Sequence, residues 1–328
     1  MAVVAALLLL ATGCTSAADQ PGNDRRQGSV SVEGCGPPTF AQVRGRAPRY
    51  LGRSLDSFPN EHALCGGLWL PRAQANFTAQ GLAVDGRTAF VSGYDGGGGL
   101  GTRFCRVQKV DTRSGKLLAE VGPVEGAVGG RPPVVCRHGG GLLLDHHGLW
   151  LVETDRLWLL DPESLAVERA WALLDPVRGS FAVHDGAGRL GLGGFRRNGP
   201  ARLFWFEPST VLAPGVLDLA ETGAADAQRV PAMAQGAVWG DLGPGPAGVW
   251  FATSNTYCGV LAGPRGSRRG FLPGAEGIDR TGRRTLWALS ESASRPYQLE
   301  GGRPVVPMLA RFDLGRGLGE WARPDCQP

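Results

Sequence analysis

Five times along the chain a short apolar segment, a turn and a second apolar segment follow one another. Residues 80–85 lead into 88–92, 140–145 into 148–152, 180–183 into 189–192, 235–239 into 248–252, and 276–279 into 285–289. A third segment follows each pair, at 106–111, 157–161, 203–207, 258–262 and 309–313, and four of these five end in Asp or Glu. Short fourth segments come next, such as 117–121 and 167–173, after turns built from an acidic residue with Ser, Gly or Pro. Such side chains cap their own backbone and stop a strand.

Four short strands per unit, recurring every 40–60 residues or roughly so, are what propeller blades require. No segment carries a long helical apolar stripe, which removes α/β barrels and helical solenoids. The 52 Gly and 24 Pro fit a turn-rich chain, and 42% hydrophobic against 20% charged residues allows a large core. The reading is an all-β propeller of four-stranded blades, five in number; a sixth would have to come from the irregular stretch 40–79.

The N-terminal region carries an address. Residues 1–10 are apolar, too short a run to span a bilayer as a helix, and read as the core of a secretory signal. Ala11-Thr12-Gly13-Cys14 follows, with Ala11 where the motif usually has Leu; it resembles a bacterial lipobox, which implies a lipid on Cys14 and a membrane anchor. Cleavage near 15–17 would instead release a soluble protein. The domain plan is a signal over 1–14, a small, polar tether over 15–34, and one propeller over 35–328, with 35–80 as an irregular lead-in and blades from about 81. Six cysteines remain beyond Cys14, an even number that suits disulfides in an exported chain. No CxxC or Cys/His spacing suggests zinc.

The net charge of +4 is mild, and of 34 basic residues only Lys109 and Lys116 are lysine. That bias matches GC-rich coding, no basic stripe stands out, and a nucleic-acid partner is not expected.

In a blade, the start of the innermost strand and the end of the second share one face of the disc with the blade-to-blade connections. The starts bring Gln80, Gln235 and Glu276 to that funnel, with Arg137, His138 and Arg178 just upstream of the other two. The second-strand ends bring Tyr94, Asp95, Glu153 and Thr154, then Phe195, Arg196, Asn255, Tyr257, Ser290 and Glu291. Asp145-His146-His147 falls in a turn on the opposite face and reads as a solvated turn. Geometry also suggests Cys105–Cys136, Cys65–Cys258 and Cys35–Cys326 as the disulfides.

The strand–turn rhythm from about Gly66 onward resembles secreted bacterial propellers of the NHL and gluconolactonase-like type. Glu276-Gly277-Ile278 is similar to the Glu-Gly opening of gluconolactonase-like and phytase-like propellers. That likeness implies a divalent-cation ligand at Glu276, with Asn255 and Asp95 as its oxygen-donating partners for Ca²⁺ or another hard ion. Two functions are therefore carried forward. The first is an exported, membrane-anchored binding protein whose funnel face takes a small molecule or a cell-surface protein. The second is a divalent-cation-dependent hydrolase of lactones or esters.

Overall fold

The computed structural model describes residues 34–52, 54–96, 100–243, 245–304, 308–315 and 317–328. The signal, Cys14 and the tether to residue 33 lie outside them. Among the described residues no helix is long and apolar enough to cross a membrane.

The five expected blades are present, each an antiparallel sheet running outward from the channel. The first contains Phe77–Asp85, Thr88–Asp95, Phe104–Asp111 and Leu117–Val121. The second has Gly141–Asp145, Gly148–Glu153, Arg156–Leu160 and Val167–Leu173, with Asp218–Leu219 added in parallel at its edge. The third has Phe181–His184, Leu190–Gly193, Ala201–Phe206 and Asp226–Val230. The fourth has Ala234–Gly240, Gly248–Asn255, Cys258–Ala262 and Arg268–Phe271. The fifth takes Ala275–Thr281, Thr285–Ser290 and Leu309–Asp313 from the end of the chain, and its outer strand, Leu64–Leu68, from the lead-in. That strand ties the start of the domain to its end and closes the ring. Inner strands of consecutive blades pack together, and the last packs on the first.

Large apolar side chains fill the space between blades. Trp158 and Leu142 lie in the cluster between the first and second blades, Trp150 and Phe204 in that between the second and third, and Phe181 and Phe251 in that between the third and fourth. Burial on this scale, at about 25 cal/mol per Å² of apolar surface, holds the blades in a fixed ring.

The inner strands of the first, fourth and fifth blades each carry a bulge. The register slips between Ala79 and Leu82, Ala234 and Gly236, and Ala275 and Ile278. The slip falls on Gln80-Gly81, on Gln235 just before Gly236, and on Glu276-Gly277. A Cβ on Gly236 would lie 2.2 Å from the Glu276 carbonyl oxygen, and one on Gly277 2.5 Å from the Leu82 nitrogen. Glycine is required there because the backbones of neighbouring blades touch. A bulge also re-aims the side chain beside it, and these three carry Gln80, Gln235 and Glu276 to one end of the channel.

The disulfides are Cys35–Cys65, Cys105–Cys136 and Cys258–Cys326. Cys105–Cys136 is as the geometry suggested, while Cys65–Cys258 and Cys35–Cys326 are replaced by the other pairs. The closing strand is the reason. It carries Cys65 to the outside of the fifth blade, where Gly36 N–H donates to the Leu64 carbonyl at 2.8 Å and seats Cys35 alongside. The C-terminal tail runs against the fourth blade, Gly270 N–H donating to the Ala322 carbonyl at 3.0 Å, and delivers Cys326 to Cys258.

Candidate functional site

A cavity of about 1010 Å³ opens on the face where inner strands begin and second strands end. All five blades contribute to its wall. Of the expected residues, Gln80, His138, Glu153, Arg178, Gln235, Asn255, Tyr257 and Glu291 line it, with Arg137, Thr154 and Phe195 beside them.

The floor is made of acids and amides. Glu276 and Glu291 are 1% and 6% exposed, and their carboxyls face each other. The Gln80 amide donates to Glu291 Oε2 at 2.8 Å, and the Gln235 amide donates to Glu276 Oε1 at 2.8 Å. Tyr297 reaches Glu291 as well. No arginine, lysine or histidine forms an ion pair with either carboxyl among the described residues. Two desolvated carboxyls in contact cannot both ionise cheaply, so the pair holds a proton between them. Burial first, and then its neighbour's charge, push Glu276 well above the ordinary carboxyl range. Burial raises Glu291 to about 7, against the pull of Gln80, Tyr297, Glu276 and the Arg103 charge.

Aromatic groups stand behind this pair. Tyr94 is buried, stacks on His138 with ring centres 5.4 Å apart, and carries the Arg103 guanidinium 4.3 Å from its ring centre. Tyr94 and Tyr297 lie near each other, and burial raises both phenols. Burial, helped by Arg103, lowers His138 to about 4, so its ring is neutral at ordinary pH.

The upper wall is an ionic lattice. Glu153 accepts from the Arg137 backbone N–H at 2.9 Å and pairs with Arg156 at 2.6 Å. Arg178 pairs with Asp155 at 3.0 Å and Asp175 at 2.8 Å. The Cys105–Cys136 disulfide immediately precedes Arg137 and His138 and anchors that connection.

Four expected residues are not in the cavity wall. Tyr94 lies behind His138, and Glu276 lies under Gln235 and Glu291. Asp95 faces the first blade's third strand, where Arg106 holds it at 3.0 Å. Arg196 borders a neighbouring depression with the other side of Arg178, and its carbonyl accepts from Met233 N–H at 2.8 Å. The cation trio is therefore not brought together: Asp95 is paired with Arg106, and the Asn255 side-chain oxygen accepts from Tyr257 and Cys258 backbone N–H groups at 2.9 Å each. Among the described residues, close groups of three His, Cys, Asp or Glu side chains occur at Cys35–Cys65–Asp313, Cys105–Cys136–Glu153 and Asp145–His146–His147. The first two contain disulfides. The third is the expected turn, with Asp145 accepting from His147 N–H at 2.8 Å.

Sequence reasoning missed Tyr297, Arg156, Asp155, Arg197 and Met233 as wall residues. Tyr297 sits on the short helix Arg295–Leu299, inside the long connection between the fifth blade's second and third strands. The unusual length of that connection is the signal that could have found it.

No protein-family model matches the chain, and no curated protein matches its sequence. Solved structures with a similar fold include a GH43_1 enzyme from Xanthomonas citri (13% identity, 74% of this chain and 88% of that one, TM-score 0.43). The RS223 β-xylosidase is similar at 10% identity, over 74% and 93% of the chains, with a TM-score of 0.44. A calcium-binding regucalcin from Agrobacterium tumefaciens shares 13% identity over 76% and 94%, at a TM-score of 0.39. These are likenesses of fold; the blade count and strand order above stand on this chain's own hydrogen bonding.

Proposed function

We propose that the chain is an exported, envelope-anchored propeller that binds a small polar molecule in its funnel. The observation that carries this reading is the open cavity of about 1010 Å³, walled by polar side chains from all five blades. Its volume is at the upper end of ordinary ligand sites, and the walls are fixed by a disulfide, bulges and ion pairs before any ligand arrives, which lowers the cost of binding. Three disulfides suit an oxidising, extracytoplasmic setting. The lipobox-like Cys14 supports attachment to a membrane surface.

The test is thermal unfolding of the full chain against a panel of sugars, carboxylic acids, amines and amino acids. A ligand of the folded state at a hundredfold excess over its Kd adds about 2.7 kcal/mol, a rise of several degrees. Ser180→Trp, which fills part of the wall, should abolish that rise. Silence from every class, or a rise unchanged in Ser180→Trp, overturns the reading.

A further inference from the structure

The charges of the funnel are unevenly placed. Arg137 and Arg197 line the upper wall and make no ion pair among the described residues, whereas the wall's other guanidiniums, Arg156 and Arg178, are neutralised by acids. At the floor the reverse holds: Glu276 and Glu291 have hydrogen-bond donors but no ion pair among the described residues, and the nearest guanidinium, Arg103, acts on Glu291 only from over the Tyr94 ring. A buried acid pair that holds one proton still carries one negative charge without an ion-paired partner, which costs the fold free energy, and a ligand cation seated beside it recovers that cost. A ligand nitrogen bearing protons can do so, since an ammonium presents three donors where the pair holds one hydrogen. The aromatic side chains of Tyr297 and Tyr257, which also line the cavity, complete surroundings that favour an organic cation over a neutral hydroxyl.

We propose that the funnel is a site for a zwitterionic amine, its ammonium group seated at the Glu276–Glu291 floor and its carboxylate or other anionic end directed to Arg137 and Arg197. This rests on the reading of the funnel as a ligand site and adds the class of ligand. Only Glu291 of the pair lines the cavity; Glu276 lies beneath it and acts through it. The ammonium pairs with the ionised Glu291 while Glu276 keeps its proton, so binding below about pH 7 releases to solvent the proton that Glu291 otherwise holds, and it strengthens as pH rises. The groups facing Glu291 are Glu276, Gln80, Tyr297, Tyr94 beyond it, and Arg103 over Tyr94; His138 stays neutral throughout the range concerned.

Four probes on matched carbon chains separate the charges: ε-aminocaproate, caproate, hexylammonium and hexanediol. Each is titrated calorimetrically into the full chain, in two buffers of different ionisation heat, at pH values on either side of neutrality. ε-Aminocaproate should bind at least tenfold tighter than any of the others and release up to one proton, and its affinity should rise with pH. Glu291→Gln should weaken it at least tenfold. The exposed double variant Arg137→Ala/Arg197→Ala, which spares the core, should bring it down to the level of hexylammonium. Equal binding of caproate or hexanediol, no proton release, or undiminished binding by both variants overturns the proposal. If these probes fail while sugars or other classes from the wider panel still bind, the charge assignment falls and the ligand site stands. Silence from all of them removes both.

Discussion

One strand, Ala275–Thr281, carries a buried acid, Glu276, near one end and a half-buried one, Asp279, toward the other, and the two are treated in opposite ways. At the funnel end Glu276 faces another carboxyl and an amide. Toward the other end Asp279 accepts from the backbone N–H groups of Val84 at 2.6 Å and of Arg280 at 2.7 Å. Asp279 borders a smaller cavity of about 190 Å³, together with His184, Trp239 and Arg280. Desolvation raises both acids, Asp279 to about 6. The difference lies in what their partners favour. Backbone donors stabilise a carboxylate, so Asp279 fastens the fifth blade to the first. A second carboxyl favours a proton, so Glu276 leaves the floor of the funnel short of one cation. The same desolvation serves closure of the ring at one end and recognition at the other.

Removing Asp279 is the harshest way to break this comparison. Asp279→Ala leaves Val84 N–H without its inter-blade acceptor and should cost about 3 kcal/mol in denaturant unfolding, with ligand binding by the folded protein unchanged. A loss below about 0.5 kcal/mol would deny Asp279 its fastening role.

Next in size is the pH dependence of stability. The carboxyls at the floor have folded values above their unfolded ones, so the folded state binds more protons and stability falls as pH rises from about 4.5 through about 7. Glu276→Gln keeps the hydrogen bonds of the protonated acid and removes the shared proton. It should match the wild type near pH 5, exceed it by about 1–2 kcal/mol near pH 8, and flatten the slope between them. A variant with the wild-type slope would place the titration elsewhere.

The smallest effect is expected at Tyr94. Tyr94→Phe keeps the stacking on His138 and loses only the buried hydroxyl beside Tyr297, a cost of about 1 kcal/mol or less. It should leave the pH slope intact, because the phenol is not part of the acid pair. A changed slope would mean that the two phenols share the floor's proton.

Much of this was legible in the sequence, because blade rhythm is local: strand, turn and acidic stop lie within a few dozen residues. The Gln-Gly and Glu-Gly openings marked the residues nearest the channel, and eight of the twelve funnel candidates line the cavity. What escaped depends on distant partners. The segment Leu64–Leu68 has no repeat of its own, and only pairing with Leu309–Asp313 makes it a blade strand; two disulfide pairings followed from that. The bulges are invisible without the neighbouring strand, so Glu276 was expected at the surface of the funnel and not beneath Glu291. Asp95 ends its strand as Glu153 does, yet Arg106 on the adjacent strand draws it away.

The central claim is that two carboxyls at the funnel floor share one proton at neutral pH. Infrared spectroscopy of the full chain, wild type against Glu276→Gln, tests it most directly. The account predicts a protonated-carboxyl C=O stretch in the wild type near pH 7 that fades toward higher pH and is markedly weaker in the variant, where only Glu291 and Asp279 can contribute to it. A wild-type spectrum with only carboxylate bands at neutral pH would contradict it.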